Sequence, residues 1–164
     1  FTVLLQPDVH RLHHHEESLG AERWRGRHQW AELRPDLHRL RDLVEHSVAT
    51  VVIEANPATV QLVGQLGMHA VLGNATRPGI LREAGISTAR AVIVTLPDPD
   101  AAVMVVEQVR TSAPNCRVLV RCRYNVHAPR LLAAGADCIV QEEDKVGEAL
   151  GALVVEELGL DADD

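Results

Sequence analysis

The sequence predicts an α/β domain built on an open, doubly wound parallel sheet flanked by helices, with its first strand and glycine-rich turn degenerate or missing. Three observations carry this. Short β-branched runs begin near residues 49, 69, 91, 117 and 138, and each is followed by a helical pattern. These runs are apolar at successive positions, as strands covered on both faces are. The chain has 164 residues, too few for a closed eightfold β/α barrel, which needs about 250.

Ala49–Ile53 is the first of the five runs and ends on Glu54. Asn56-Pro57 then supplies an N-cap and a proline at the first helical position. Val60, Val63 and Leu66 follow at helical spacing, and Gly67 stops the helix. His69–Leu72 is the next strand and closes on Gly73. Thr76 is expected to cap a short helix carrying Ile80, Leu81 and Ala84 inward, with Gly85 as its stop. Ala91–Thr95 is a strand. Asp98-Pro99 opens a helix with Ala102, Val103, Val106 and Val109 on one face, ended before Pro114. Arg117–Arg121 is a strand, and a helix starting between Asn125 and Pro129 buries Leu131 and Leu132 and stops at Gly135. Cys138–Val140 is the last strand. Val146, Ala149, Leu150, Leu153, Val154 and Leu158 mark the final helix.

Composition divides the chain. Residues 1–46 hold seven of the nine histidines and both tryptophans, and read as an irregular linker or a degenerate N-terminal segment. Residues 47–160 form the α/β domain. Residues 47–164 have one aromatic residue, Tyr124, and 9 basic against 15 acidic side chains. The net charge of −7 argues against nucleic-acid binding. The three cysteines, Cys116, Cys122 and Cys138, form no CxxC, which speaks against a disulfide framework or a structural zinc. His10 and His13–His15 sit in the irregular segment without a scaffold, so no metal site is expected. Trp24 and Trp30 among arginines read as an amphipathic or membrane-proximal stretch or as a plain linker.

In such a sheet, ligands bind beyond the carboxyl ends of the strands. The residues there are the candidate site: Glu54, Asn56, Gly73, Asn74, Ala75, Thr95 and Arg121. Glu54 can accept hydrogen bonds from ribose hydroxyls and would repel a 2′-phosphate, favouring NAD(H) or an adenosine ligand over NADP(H). Gly73-Asn74-Ala75 is a small-residue turn that would let an adenine approach the backbone, or a plain turn after a strand. Thr95 can bond a ribose or phosphate, or be satisfied by the next helix. Arg121 can meet a phosphate, pair with a carboxylate across a subunit interface, or stand as a surface charge. The glycine-rich phosphate turn should lie about 20 residues before the acid. Leu33–His38 stands there without a glycine, and no GxGxxG occurs in the chain.

Catalytic motifs are missing. Tyr124 and Lys145 are not at Tyr-x-x-x-Lys spacing, and there is no GxSxG, HExxH or Walker A loop. The chain is therefore expected not to be an enzyme.

The segments Val51-Val52-Ile53-Glu54-Ala55-Asn56-Pro57, Val71–Thr76, Leu81–Ile86, Ala91–Asp98 and Ala134–Asp137 together resemble the RCK/TrkA-N domain. The resemblance runs from about Val48 to Leu158. Ile139–Glu143 with Gly147 and Ala149 is similar to the Kef-type cation:proton antiporter branch. The resemblance implies a Rossmann-like, nucleotide-sensing regulatory domain of a potassium channel or antiporter. It would bind NAD(H), AMP or ATP, work as a homodimer, and lie at the cytoplasmic face of the membrane against the transporter portion of the same or a partner chain. Glu54 matches the family's ribose acid and Thr95 its rim residue. Asn74 stands where the family usually has Asp. The family's glycine loop has no counterpart.

Two alternatives remain, a non-binding dimerisation scaffold and, with less support, a Rossmann oxidoreductase. Phe1–Leu5 is expected either to end a transmembrane helix or to be borrowed as a strand by a sheet that lacks its first. The Arg-, His- and Trp-rich stretch before residue 47 predicts a divergent variant or a shifted reading frame in a GC-rich gene.

Overall fold

The computed structural model describes residues 1–6, 49–65 and 67–158. The strands are β1 (Thr2–Leu5), β2 (Thr50–Glu54), β3 (His69–Leu72), β4 (Ala91–Val94), β5 (Arg117–Cys122) and β6 (Cys138–Gln141). The helices are α1 (Pro57–Gln65), α2 (Pro78–Glu83), α3 (Pro99–Ser112), α4 (Ala128–Ala133) and α5 (Glu142–Leu158), with 3₁₀ turns at Ile86–Thr88 and Asn125–His127. Of the segment 1–46 expected to be an irregular linker, residues 1–6 are described and include β1; the rest, with the histidine and tryptophan stretches, lies outside the described residues.

The strands form one sheet in the order β3-β2-β1-β4-β5-β6. That is the 3-2-1-4-5-6 order of a doubly wound dinucleotide fold. The pairs β2·β3, β4·β5 and β5·β6 are parallel, as expected. The correction lies at the centre: β1 is antiparallel to both neighbours, so the sheet is mixed. Thr2–Leu5 is thus the borrowed strand, and the expectation of a helix end there fails.

Two physical reasons account for this. An empty place between β2 and β4 would leave two unpaired strand edges inside the sheet, and an apolar tetrapeptide closes both. The direction follows from the connection. Gln6 N–H donates to Ala49 O at 2.9 Å, so the chain leaves β1 and re-enters β2 at the same, amino edge of the sheet. A parallel strand would end at the opposite edge and need a crossover to return.

Strand alternation sorts the core into two layers. On the front face, Leu4, Val51, Ile53, Val71, Val92, Val94, Val118 and Val120 pack under α2, α3 and α4. On the back face, Phe1, Val3 and Val52 pack against Val63 of α1 and Met68. Asp98 caps α3 by accepting from Asp100 N–H and Ala101 N–H, a contact worth about 1 kcal/mol. Arg77, not Thr76, is the N-cap residue of α2, and it makes no side-chain cap bond. The Thr76 hydroxyl instead donates to Asn74 Oδ1. Helix α5 begins at Glu142, directly after β6, and buries none of its residues.

The amino edge is held by two polar staples. Gln6 Nε2 donates to the carbonyls of Ala84 and Gly85, and its Oε1 accepts from the Thr88 hydroxyl. Arg110 donates to the carbonyls of Gly135, Pro114 and Cys116 and to Asp137 Oδ2 at 2.6 Å. Asp137 Oδ2 also accepts from Val118 N–H at 2.6 Å. Gly135 has φ of +109°, and a Cβ there would lie 2.8 Å from Arg110 Cγ, so the staple requires glycine. The Val118 N–H, with Arg110 behind it, holds the Asp137 carboxyl below its ordinary range. Burial pushes the thiols of Cys116 and Cys122 up.

Candidate functional site

At the carboxyl edge the register aligns one row of residues. Thr2 pairs with Ile53 on one side and Val94 on the other, and Val94 pairs with Val120. Ile53, Val94 and Val120 belong to the front layer. The next residues, Glu54, Thr95 and Arg121, therefore face the back, with Phe1 of the back layer between Glu54 and Thr95. Strands lie about 4.8 Å apart, so Glu54 and Thr95 are separated by about 10 Å and Glu54 and Arg121 by about 14 Å. The row crosses the β1–β4 boundary, where the strand order reverses. That is the switch point at which open α/β sheets bind ligands.

Each side chain of the row has a partner within the fold. Glu54 is 9% exposed, and its Oε1 accepts from Asn56 N–H at 2.8 Å. Its second oxygen carries no hydrogen bond among the described residues. The Thr95 N–H and hydroxyl both donate to Phe1 O, at 3.1 and 2.9 Å. These bonds prolong the ladder by one residue and use the hydroxyl that the sequence offered to a ligand. Arg121 Nε donates to Glu142 Oε1, and each side chain of this pair is 35% exposed.

The remaining candidates stand apart from the row. Asn56 Oδ1 accepts from Ala58 N–H at 2.9 Å and caps α1. Asn74 Oδ1 accepts from the N–H and hydroxyl of Thr76, which closes the turn after β3. Gly73 N–H donates to Glu54 O at 2.9 Å. A Cβ at Gly73 would sit 2.6 Å from Ile80 Cδ1, so packing against α2 demands this glycine. Ala75 is 3% exposed and packs into the front layer, away from the rim.

Sequence reasoning missed two features of the rim. Phe1 in the middle of the row had no local signal, because its neighbours are more than 50 residues away. The acidic start of α5, Glu142–Asp144, suits a helix N-terminus, and nothing local in the sequence marks a wider role. It also holds the rim: Glu143 Oε2 accepts from Asn125 N–H at 2.6 Å, and Asp144 Oδ1 accepts from Asn125 Nδ2 at 2.7 Å. Among the described residues no group of three His, Cys, Asp or Glu is placed to hold a metal ion. None of the described helices is long and apolar enough to cross a membrane.

This geometry, a 3-2-1-4-5-6 sheet with an acid at the end of β2, defines a Rossmann-like domain. Residues 38–142 match the TrkA-N domain family, and the chain belongs to that family. It is 32% identical over 120 residues to the glutathione-regulated potassium-efflux system protein KefC of Cronobacter sakazakii, a match over 73% of this chain and 19% of that protein. The chain thus spans about a fifth of the curated relatives it matches. Among solved structures it resembles the TrkA-N domain of the inner membrane protein ybaL from Escherichia coli, with a TM-score of 0.70, 26% identity, and coverage of 73% of this chain and 89% of that one. Two liganded structures share the fold. The GsuK channel bound to NAD has a TM-score of 0.59, 23% identity and coverage of 66% and 20%. The Shewanella denitrificans Kef CTD in its AMP-bound form has a TM-score of 0.54, 20% identity and coverage of 70% and 82%.

Proposed function

We propose that this chain is the nucleotide-sensing regulatory domain of a potassium-transport system, not an enzyme, and that it takes an adenine nucleotide across the rim row. Glu54 accepts from the ribose hydroxyls, and its charge rejects a 2′-phosphate. Thr95 and Arg121 face the phosphate end, Arg121 offering a guanidinium fork. The observation that carries this reading is the alignment of Glu54, Thr95 and Arg121 on one face at the switch point. Binding is coupled to the geometry of a homodimer at the cytoplasmic face of the membrane, and through it to an ion-conducting portion of the same or a partner chain.

Without a glycine turn, and with the Phe1 carbonyl at the switch point, the rim suits the single phosphate of AMP better than the pyrophosphate of NAD(H). The same occupation of the switch point favours the second reading, a scaffold that dimerises without binding. Titration calorimetry with AMP, ADP, ATP and NADH separates them. The sensing reading expects saturable binding of an adenine mononucleotide that weakens about tenfold in Glu54→Gln, a change of about 1.4 kcal/mol. Heats indistinguishable from dilution for every nucleotide would leave the scaffold.

A further inference from the structure

We propose that Glu142 competes with the ligand's phosphate for Arg121, so that nucleotide binding unpins helix α5; the inference rests on the nucleotide-sensing reading above. Arg121, the penultimate residue of β5, lies in the rim row, and its Nε–H donates to a carboxylate oxygen of Glu142, the first residue of α5. A guanidinium carries five N–H donors and binds phosphate best along a two-donor edge. Among the described residues Glu142 takes only one of those donors. At 35% exposure, both side chains are open to a ligand arriving along the rim.

A phosphate seated on Arg121 meets the carboxylate of Glu142, with Glu143 and Asp144 next in the chain. Like charges at such range, half out of solvent, are mutually unfavourable. The two anions are therefore alternatives. Whatever the docked Glu142 costs the ligand in affinity, the ligand costs the docked helix in stability.

Helix α5 has little else to hold it. Glu142 is half-buried, every residue from Glu143 to Leu158 is exposed, and the helix buries none. Its described side-chain bonds to the rest of the domain are those of Glu142 to Arg121 and of Glu143 and Asp144 to Asn125, all in its first turn. A 17-residue helix interrupted by Gly147 and Gly151 is marginal alone in water. Loss of the Arg121 contact removes one of these anchors, and the change reaches the apolar stripe of Val146, Leu150, Leu153, Val154 and Leu158.

The test titrates AMP and adenosine into the chain and its Glu142→Gln variant, and follows amide hydrogen exchange of the unmodified chain with and without AMP. The expected result is AMP binding tightened about fivefold or more in the variant, with adenosine, which has no phosphate, unchanged. In the unmodified chain, AMP should speed exchange in α5 and leave α3 unaltered. If AMP binds and Arg121→Gln weakens it, but Glu142→Gln does not alter affinity and α5 exchange stays constant, the competition is refuted while the sensing reading stands. If the unmodified chain binds neither ligand, both fall. The exchange measurement needs no variant and decides the matter if Glu142→Gln fails to fold.

Discussion

At the amino edge of the sheet, Arg110 makes four hydrogen bonds and Asp137 Oδ2 accepts two, all in one partly buried staple. At the carboxyl edge, Glu54 accepts one, Thr95 gives both donors to a single carbonyl, and Arg121 gives one to Glu142. The same residue types thus serve two purposes. Where a guanidinium is held by three carbonyls and a carboxylate, it ties α3 to the starts of β5 and β6. Where it is held by one carboxylate, most of its donors are left over among the described residues. The fold is fastened at one edge, and the proposed function places the ligand at the other.

The largest effect should come from breaking the fastened edge. Arg110→Ala leaves the Asp137 carboxylate and three carbonyls short of a donor, and should lower stability by about 3 kcal/mol in urea unfolding. Nucleotide affinity should hold wherever the variant is folded. The same staple gives a pH signature. The Asp137 carboxyl is held below its ordinary range by Val118 N–H, so its contribution is present above the unfolded-state value and is lost as pH falls through the lowered folded one. Asp137→Asn should flatten the acid limb of stability against pH. An unchanged limb would mean that another carboxylate governs it.

Next in size is the carboxyl edge. Glu54→Gln keeps an oxygen that accepts from Asn56 N–H, so stability should change by less than about 0.5 kcal/mol, while AMP affinity falls about tenfold. Equal losses in both would make Glu54 a structural cap only.

The borrowed strand offers a smaller test. Thr2 is fully buried between Ile53 and Val94, and its hydroxyl has no hydrogen-bond partner among the described residues. Thr2→Val removes the unpaired hydroxyl and should stabilise the fold by about 1 kcal/mol in thermal unfolding. Destabilisation would show that the hydroxyl is satisfied.

The smallest perturbation is chemical labelling. Cys116 and Cys122 are buried with raised thiol pKa values, and Cys138 is exposed. Iodoacetamide at neutral pH should label Cys138 well before the other two, as read by peptide mass spectrometry. Early labelling of Cys122, at the end of β5, would show that the carboxyl edge opens more than its packing implies.

Much of the fold was legible because its signals are local. The five apolar runs became β2 to β6, Asp98 capped α3, and Gly67, Gly85 and Gly135 all take positive φ where helices were expected to stop. What was not legible depends on distant partners. Thr2–Leu5 carries an apolar pattern but no mark of direction. Its antiparallel course follows from the meeting of Gln6 with Ala49 across 42 intervening residues. At the candidate site, the places of Glu54 at the end of β2 and of Asn56 before α1 could be read from the local sequence. The Arg121–Glu142 pairing lies 21 residues apart, and Gly73 owes its identity to Ile80 rather than to a ligand.

A residue-by-residue map of amide hydrogen exchange with and without saturating AMP tests the contrast between the edges most directly. The account predicts slower exchange around Glu54–Asn56 and Thr95–Leu96, with no change around Gly85, Val118 and Asp137. Protection centred on the amino edge, or a map that AMP leaves unchanged everywhere, would contradict it.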